Sequence, residues 1–184
     1  PIQQPHPPLR MAATSSETFQ AVAERGLPLF VGLRGDGLGE LARNIQHYRE
    51  TWQDRGHPGV GSVYLRVPLF AAKTDAAALE EPRENIIYYF ERQARLVAAA
   101  SPKGGRAEQR NTAATLSALS YDDILRDRVA FGSAPRLVDR FHEWHEVLGI
   151  NGITAEMNAG GMLSVDQVKT SLSILTHDVV PAFQ

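Results

Sequence analysis

The chain has 184 residues, 43% of them hydrophobic and 22% charged, a composition that excludes disordered, collagen-like and other fibrous classes. With 19 basic against 21 acidic residues the formal net charge is −2, so no single-sign field exists to hold a nucleic-acid backbone or an anionic bilayer. The absence of cysteine excludes disulfide frameworks, thiolate metal sites and cysteine nucleophiles.

The length suits one domain with a sizeable core. No run approaches the ~18 apolar residues of a membrane span, and the proline-rich start has neither the basic nor the apolar region of a signal peptide. A cytoplasmic protein with no membrane or nucleic-acid partner is therefore expected. Pro1 stands where a methionine would, which fits either methionine removal or the cut end of something longer.

From Leu9 onward short apolar runs alternate with longer amphipathic stretches, the pattern of βα units on a parallel sheet. The first run, residues 9–13, leads into Thr14-Ser15-Ser16-Glu17, where Thr14 and Glu17 have capping-box spacing, and then a helix ending at Gly26. Residues 27–31 are wholly apolar, as a strand buried on both faces requires. A glycine-rich loop, residues 32–39, precedes Leu38, Leu41, Ile45, Tyr48 and Trp52, whose steps of three and four predict one buried helix face.

Residues 63–72 form the third predicted strand, followed by a helix over residues 76–100 interrupted or entered near Pro82. The stretch 102–120 reads as a mobile surface insertion, with a short helix over residues 121–127 after it. Ser133, Ala134 and Pro135 open a further helix with Leu137, Val138, Phe141, Trp144 and Leu148 inward and Gly149 closing it. The fourth strand covers residues 150–156. Ser164 and Gln167 then form a second capping box ahead of an apolar stripe, Val168, Leu172, Leu175 and Val179, which Pro181 ends. The sum is four parallel strands with flanking helices.

The turn Thr14-Ser15-Ser16-Glu17-Thr18 carries the most chemical information. At the end of a strand and the start of a helix, hydroxyls and free amides meet the positive end of the helix dipole; this suits a phosphate or serves as a plain helix cap. The glycine loop lacks dinucleotide spacing, but it lies where ligand sites gather, and Arg34 is its strong anion partner. Asp36 and Glu156 sit at predicted strand ends without an identifiable partner. His142 and His145, with Glu143 and Glu146, have no third metal ligand and read as a solvated helix face; Trp52 and Trp144 fall in apolar stripes.

Several segments in order resemble the bacterial luciferase-like family of flavin-dependent monooxygenases, in its C-terminal half. They are Pro5-His6-Pro7-Pro8, the 13–18 turn, Ala23-Glu24-Arg25-Gly26-Leu27-Pro28, the 63–72 strand and Phe131-Gly132-Ser133-Ala134-Pro135. Leu148-Gly149-Ile150, Gly160-Gly161-Met162 and Val179-Val180-Pro181-Ala182-Phe183 complete the series. The resemblance implies strands five to eight of a (β/α)8 TIM barrel. It also implies an enzyme that takes reduced FMN (FMNH2) from a separate flavin reductase and uses O2 to oxidise a small organic substrate; the deazaflavin F420 serves in related branches.

By the same resemblance the flavin phosphate maps onto Ser15 and Thr18, with Thr14 and Ser16 adjacent. Arg34 and Glu156 become candidates for the substrate pocket. An acidic residue found in some members is replaced by Thr14. Half a barrel leaves strand edges open, which favours a homo-oligomer or association with the missing half; a non-catalytic flavin-binding protein is the reading from a different class.

Overall fold

The computed structural model describes residues 2–33, 37–100 and 107–184, and for residues 107–110 the backbone alone. Five strands, all parallel, form its sheet: β1 (Met11–Ala12), β2 (Leu29–Gly32), β3 (Val63–Ala71), β4 (Ala130–Gly132) and β5 (Gly152–Glu156). The central strand β3 pairs with β2 along residues 63–66 and with β5 along residues 64–68, so these two neighbours flank opposite edges of it. Beyond them β3 pairs with β4, through Leu69–Ala130, Phe70–Phe131 and Ala71–Gly132.

Four of the strands lie where the apolar runs place them, and β4 is an addition to the expected four. Three residues, Ala-Phe-Gly, are too short to show a period, and they read as the entry to the next helix.

Alternation along the strands separates two faces. Val63, Leu65, Val67 and Leu69 are at most 1% exposed and join Leu29, Val31, Ile153 and Ala155 against the helices. Those helices are α1 (Ser16–Glu24), α2 (Leu38–Asp54) and α7 (Ala134–Leu148), which contribute Phe19 and Val22, Leu41, Ile45, Tyr48 and Trp52, and Leu137, Phe141, Trp144 and Leu148. The predicted stripes of α2 and α7 are the buried ones. Gly149 closes α7 at φ 61°, and Arg49 of α2 donates Nη2 to its carbonyl at 2.6 Å.

The opposite face carries Ala12, Phe30, Tyr64 and Gly152 in register, then Gly32, Arg66 and Thr154. It is only partly covered: Phe30, Tyr64 and Arg66 are half-buried and Thr154 is exposed. The Arg10 guanidinium lies 4.0 Å from the Tyr64 ring centre on this face.

A second hydrophobic cluster sits at the far end of β3. Phe70, Ala72, Val129 and Phe131 meet residues of α3 (Asp75–Glu80), α4 (Arg83–Ala99), α5 (Ala107–Ser117) and α6 (Tyr121–Asp127). The helix break near Pro82 is present. Of the stretch 102–120, expected as a mobile insertion, residues 107–117 are helical with Ala113 and Leu116 buried; 101–106 lie outside the described residues.

The loop after β5 is latched to α4. Asn158 exchanges two hydrogen bonds of 3.1 Å with the Leu163 backbone, and the Met162 amide donates to Asn85 Oδ1 at 2.9 Å. Asn85 is buried, and Gly160 lies so close that a Cβ there would stand 2.1 Å from the Asn85 carbonyl oxygen. α8 (Val165–Ile174) follows, its Ser164–Gln167 capping box formed as expected. Its apolar stripe is a correction: Val179 is buried, Leu172 is 46% exposed, and the helix instead buries Ser171, whose Oγ accepts the Ala71 amide at 2.8 Å. A helix flanking the last strand has a neighbour on one side alone, which leaves part of its stripe open. No helix among the described residues is long and apolar enough to cross a membrane.

Candidate functional site

Two features gather at the C-terminal ends of the strands. The first is the turn between β1 and α1. Ser15, and not Thr14, is the N-cap, in extended conformation, so the Thr14–Glu17 capping box does not form. The Ser15 carbonyl accepts the amides of Thr18 and Phe19 at 2.8 and 3.1 Å. The Ser15 hydroxyl makes no cap and lies instead 2.9 Å from Thr18 Oγ1, half-buried.

Of the four hydroxyl-bearing residues expected to act together, the structure pairs Ser15 with Thr18. Ser16 donates to Asn44 Oδ1 on α2 at 3.0 Å, and Thr14 is exposed. The two hydroxyls, one on the N-cap and one in the first turn, stand at the positive end of the nine-residue α1.

The second feature is a cleft under α4 and α5, bounded by the ends of β2, β3 and β5. Its polar floor is an ion pair between Arg66 of β3 and Glu156 of β5, joining Arg66 Nη2 to Glu156 Oε1. Tyr89 of α4 donates its hydroxyl to the other carboxylate oxygen at 3.5 Å. Pro68, Phe90, Leu33 and Leu116 supply apolar wall, and Gln93 and Arg128 complete the lining. Arg128 is 4% exposed and donates Nη1 to the Leu33 carbonyl at 3.4 Å.

Glu156 therefore has the partners that sequence could not identify. Arg34 and Asp36 lie outside the described residues. Arg66 and Tyr89 were missed. For Arg66 a signal existed, a lone charge inside the apolar run of β3; Tyr89 reads as ordinary core on the α4 stripe. By strand spacing of ~4.8 Å the turn after β1 stands about 10 Å laterally from β3.

The remaining candidates diverge. His142 stacks on Phe183 at 4.9 Å between ring centres, and the His145 ring contacts the Ile150 carbonyl at 2.9 Å. No group of metal-binding side chains occurs among the described residues. Trp52 and Trp144 are core, 6% and 0% exposed. The N-terminus of α7 is occupied by a carboxylate: Asp75 Oδ1 accepts the Ser133 amide at 2.8 Å, and this bond, ahead of nearby Arg136, holds the Asp75 pKa below the usual carboxylate value.

A family profile described as luciferase-like monooxygenase matches residues 1–150. No curated protein matches the chain. Among solved structures, the oxygenating constituent of 3,6-diketocamphane monooxygenase from Pseudomonas putida, a type II Baeyer–Villiger monooxygenase in complex with FMN, is similar at TM-score 0.71 and 19% identity, over 95% of this chain and 48% of that one. Monooxygenase RslO1 from Streptomyces bottropensis is similar at 0.69 and 12% identity, over 99% and 50%. The coenzyme F420-dependent tetrahydromethanopterin reductase from Methanopyrus kandleri is similar at 0.66 and 12% identity, over 96% and 51%. These likenesses establish a shared fold, and the chain spans about half the length of the structures it matches.

Proposed function

This chain belongs to the luciferase-like monooxygenase family, and from that premise we propose that it forms strands five to eight of a (β/α)8 barrel in a flavin-dependent monooxygenase. The observation that carries this reading is the Ser15–Thr18 hydroxyl pair at the start of α1. When bound, reduced FMN supplies the electrons with which O2 oxidises an organic substrate. Ser15 and Thr18 donate to the phosphate oxygens, and the positive end of α1 adds to the attraction. Thr14 and Ser16 border the site, with Ser16 held by Asn44.

The cleft forms one wall of the substrate cavity. Glu156 is part of its floor, Arg34 is a further candidate by sequence, and α4 lies over the strand ends. A separate flavin reductase is the proposed electron source. The partly covered sheet face and the edges of β1 and β5 call for association with a complementary half-barrel, or for a homo-oligomer.

Hydride transfer with F420 is the second reading, because a reductase using that coenzyme has the same fold and the hydroxyl pair suits its phosphate equally. Anaerobic reduction assays with each cofactor separate the two, and turnover with F420 alone overturns the monooxygenase. A flavin-binding half-barrel without catalysis is the third reading, marked by stable flavin binding with no oxidation in any assay.

The phosphate grip is tested by following flavin fluorescence as FMN or riboflavin is added to the chain. A hydrogen bond to a charged group contributes ~1.5–3 kcal/mol, so FMN is expected to bind at least about tenfold more tightly than riboflavin, which lacks the phosphate. Ser15→Ala with Thr18→Ala is expected to abolish that preference. Equal affinity of the unsubstituted chain for the two flavins overturns the assignment.

A further inference from the structure

We propose that this chain closes its barrel with a second copy of itself, β5 of each copy pairing in parallel with β1 of the other in a twofold ring of eight strands. The inference rests on the half-barrel reading above and not on the flavin. Four strands follow one another round the sheet in the order β1, β2, β3, β5, while β4 extends only the far end of β3. Among the described residues β1 pairs with β2 alone and β5 with β3 alone, which leaves one edge open on each. Every pairing is parallel, so a twofold axis along the strands carries β5 of one copy beside β1 of the other with the same direction. Eight strands make an interior just wide enough for side chains to fill.

The two open ends carry apolar side chains that meet under this operation. Met11 stands in register with Leu29, which packs against the helices, and Leu9 comes one strand period earlier; both Leu9 and Met11 are exposed. At the other end Val165 and Leu172, two turns apart on α8, are exposed as well. A helix that follows a strand in a right-handed crossover lies over that strand and the next. In the ring the strand next to β5 is β1 of the other copy, so α8 lays Val165 and Leu172 over Leu9 and Met11 of the partner subunit.

The inner face fits the same closure. Its row Ala12, Phe30, Tyr64, Gly152 has two rings in the middle and the smallest residues at both ends. Closure sets Ala12 beside Gly152 of the partner subunit at each joint, and the four half-buried rings of two copies fill the centre. A formal net charge of −2 per copy opposes this self-association little. Each turn carrying Ser15 and Thr18 then stands one strand spacing, ~4.8 Å, to the side of the strand that ends in Glu156 of the partner subunit, so two subunits border each phosphate site.

Sedimentation equilibrium of the whole chain is expected to give twice 20.2 kDa. Met11→Glu and Leu172→Glu change exposed residues, so each variant keeps its fold, checked by circular dichroism, while its dimer dissociates at a concentration at least about tenfold higher. Met11→Lys with Leu172→Glu in one chain puts opposite charges together at both joints and should recover part of the loss.

The sequence has no cysteine, so Met11→Cys with Leu172→Cys supplies the only two thiols, at opposite ends of one copy's sheet. A short bismaleimide should join them into a species of twice the mass and nothing larger. A ladder of higher masses means an open head-to-tail chain and overturns the ring. A monomer overturns the pairing and leaves the half-barrel reading standing. A dimer whose thiols stay unjoined puts the contact elsewhere and overturns both. The phosphate grip at Ser15 and Thr18 is read separately, since no flavin is added.

Discussion

Gly160→Ala isolates the latch between the loop after β5 and the helix roofing the cleft. The new Cβ would stand 2.1 Å from the Asn85 carbonyl oxygen and 2.6 Å from its Oδ1, where ordinary contact starts at 3.4 Å. The loop must therefore retreat by about 1.3 Å, the difference between 3.4 and 2.1 Å. A movement of that size takes the 2.9 Å bond from the Met162 amide to Asn85 Oδ1 out of hydrogen-bonding range. Overpacking costs ~1–3 kcal/mol and a buried polar group left unpaired a similar amount. The two are not strictly additive, so a total of about 2–5 kcal/mol is expected.

In a chain of this length each kcal/mol lowers Tm by about 2–4 °C, which puts the loss on the order of 10 °C. Gly39→Ala in α2 is the control: like Gly160 it has no left-handed φ, and the new Cβ would meet only Arg43 Nη1 at an ordinary 3.8 Å, so it should not destabilise the chain. Calorimetry of both variants, with hydrogen exchange at the Met162 amide, makes the comparison. Equal melting temperatures with unchanged exchange at Met162 would refute the steric reasoning.

Ser171→Ala should destabilise by ~1–3 kcal/mol, because it strips the acceptor from the buried Ala71 amide at the end of β3; Ser171→Thr, which keeps a hydroxyl, should recover part of the loss in the same chemical denaturation series. Tyr48 has its pKa pushed up to about 12 by burial, partly opposed by Arg49, and its hydroxyl donates to the Leu27 carbonyl at 3.1 Å. The unfolded phenol ionises first, near 10, so the contribution of Tyr48 is complete below that pH and fades as pH rises towards 12. Burial raises Tyr121 as well, so absorbance titration near 295 nm should show late phenols, one of which is lost in Tyr48→Phe; a set of tyrosines all titrating near 10 would contradict the burial of Tyr48.

The parts of the fold that sequence makes plain are those in which one residue pattern has one physical solution. Leu41, Ile45, Tyr48 and Trp52 bury together because no other conformation puts them on one side, and the Ser164–Gln167 box needs nothing beyond its own helix turn. Where a tertiary neighbour decides, local pattern falls short. Leu172 matches a buried stripe yet is 46% exposed, while Ser171 beside it is fully buried and bonded to β3.

The cap before α1 moved from Thr14 to Ser15 because the Ser15 carbonyl, one residue later, accepts the first helical amides. Glu156 was visible as a carboxylate at a strand end. Its partners were not, since Arg66 and Tyr89 stand 90 and 67 residues away and only the β3–β5 register and the placement of α4 bring them within reach.

Neighbouring residues of β3 serve separate cores: Leu69 belongs to the layer against α1, α2 and α7, and Phe70 to the cluster built from α3 to α6. The helices of the second cluster can thus repack among themselves without disturbing the layer beneath, provided that Asp75, Asn85 and Tyr89 keep their bonds to Ser133, Met162 and Glu156.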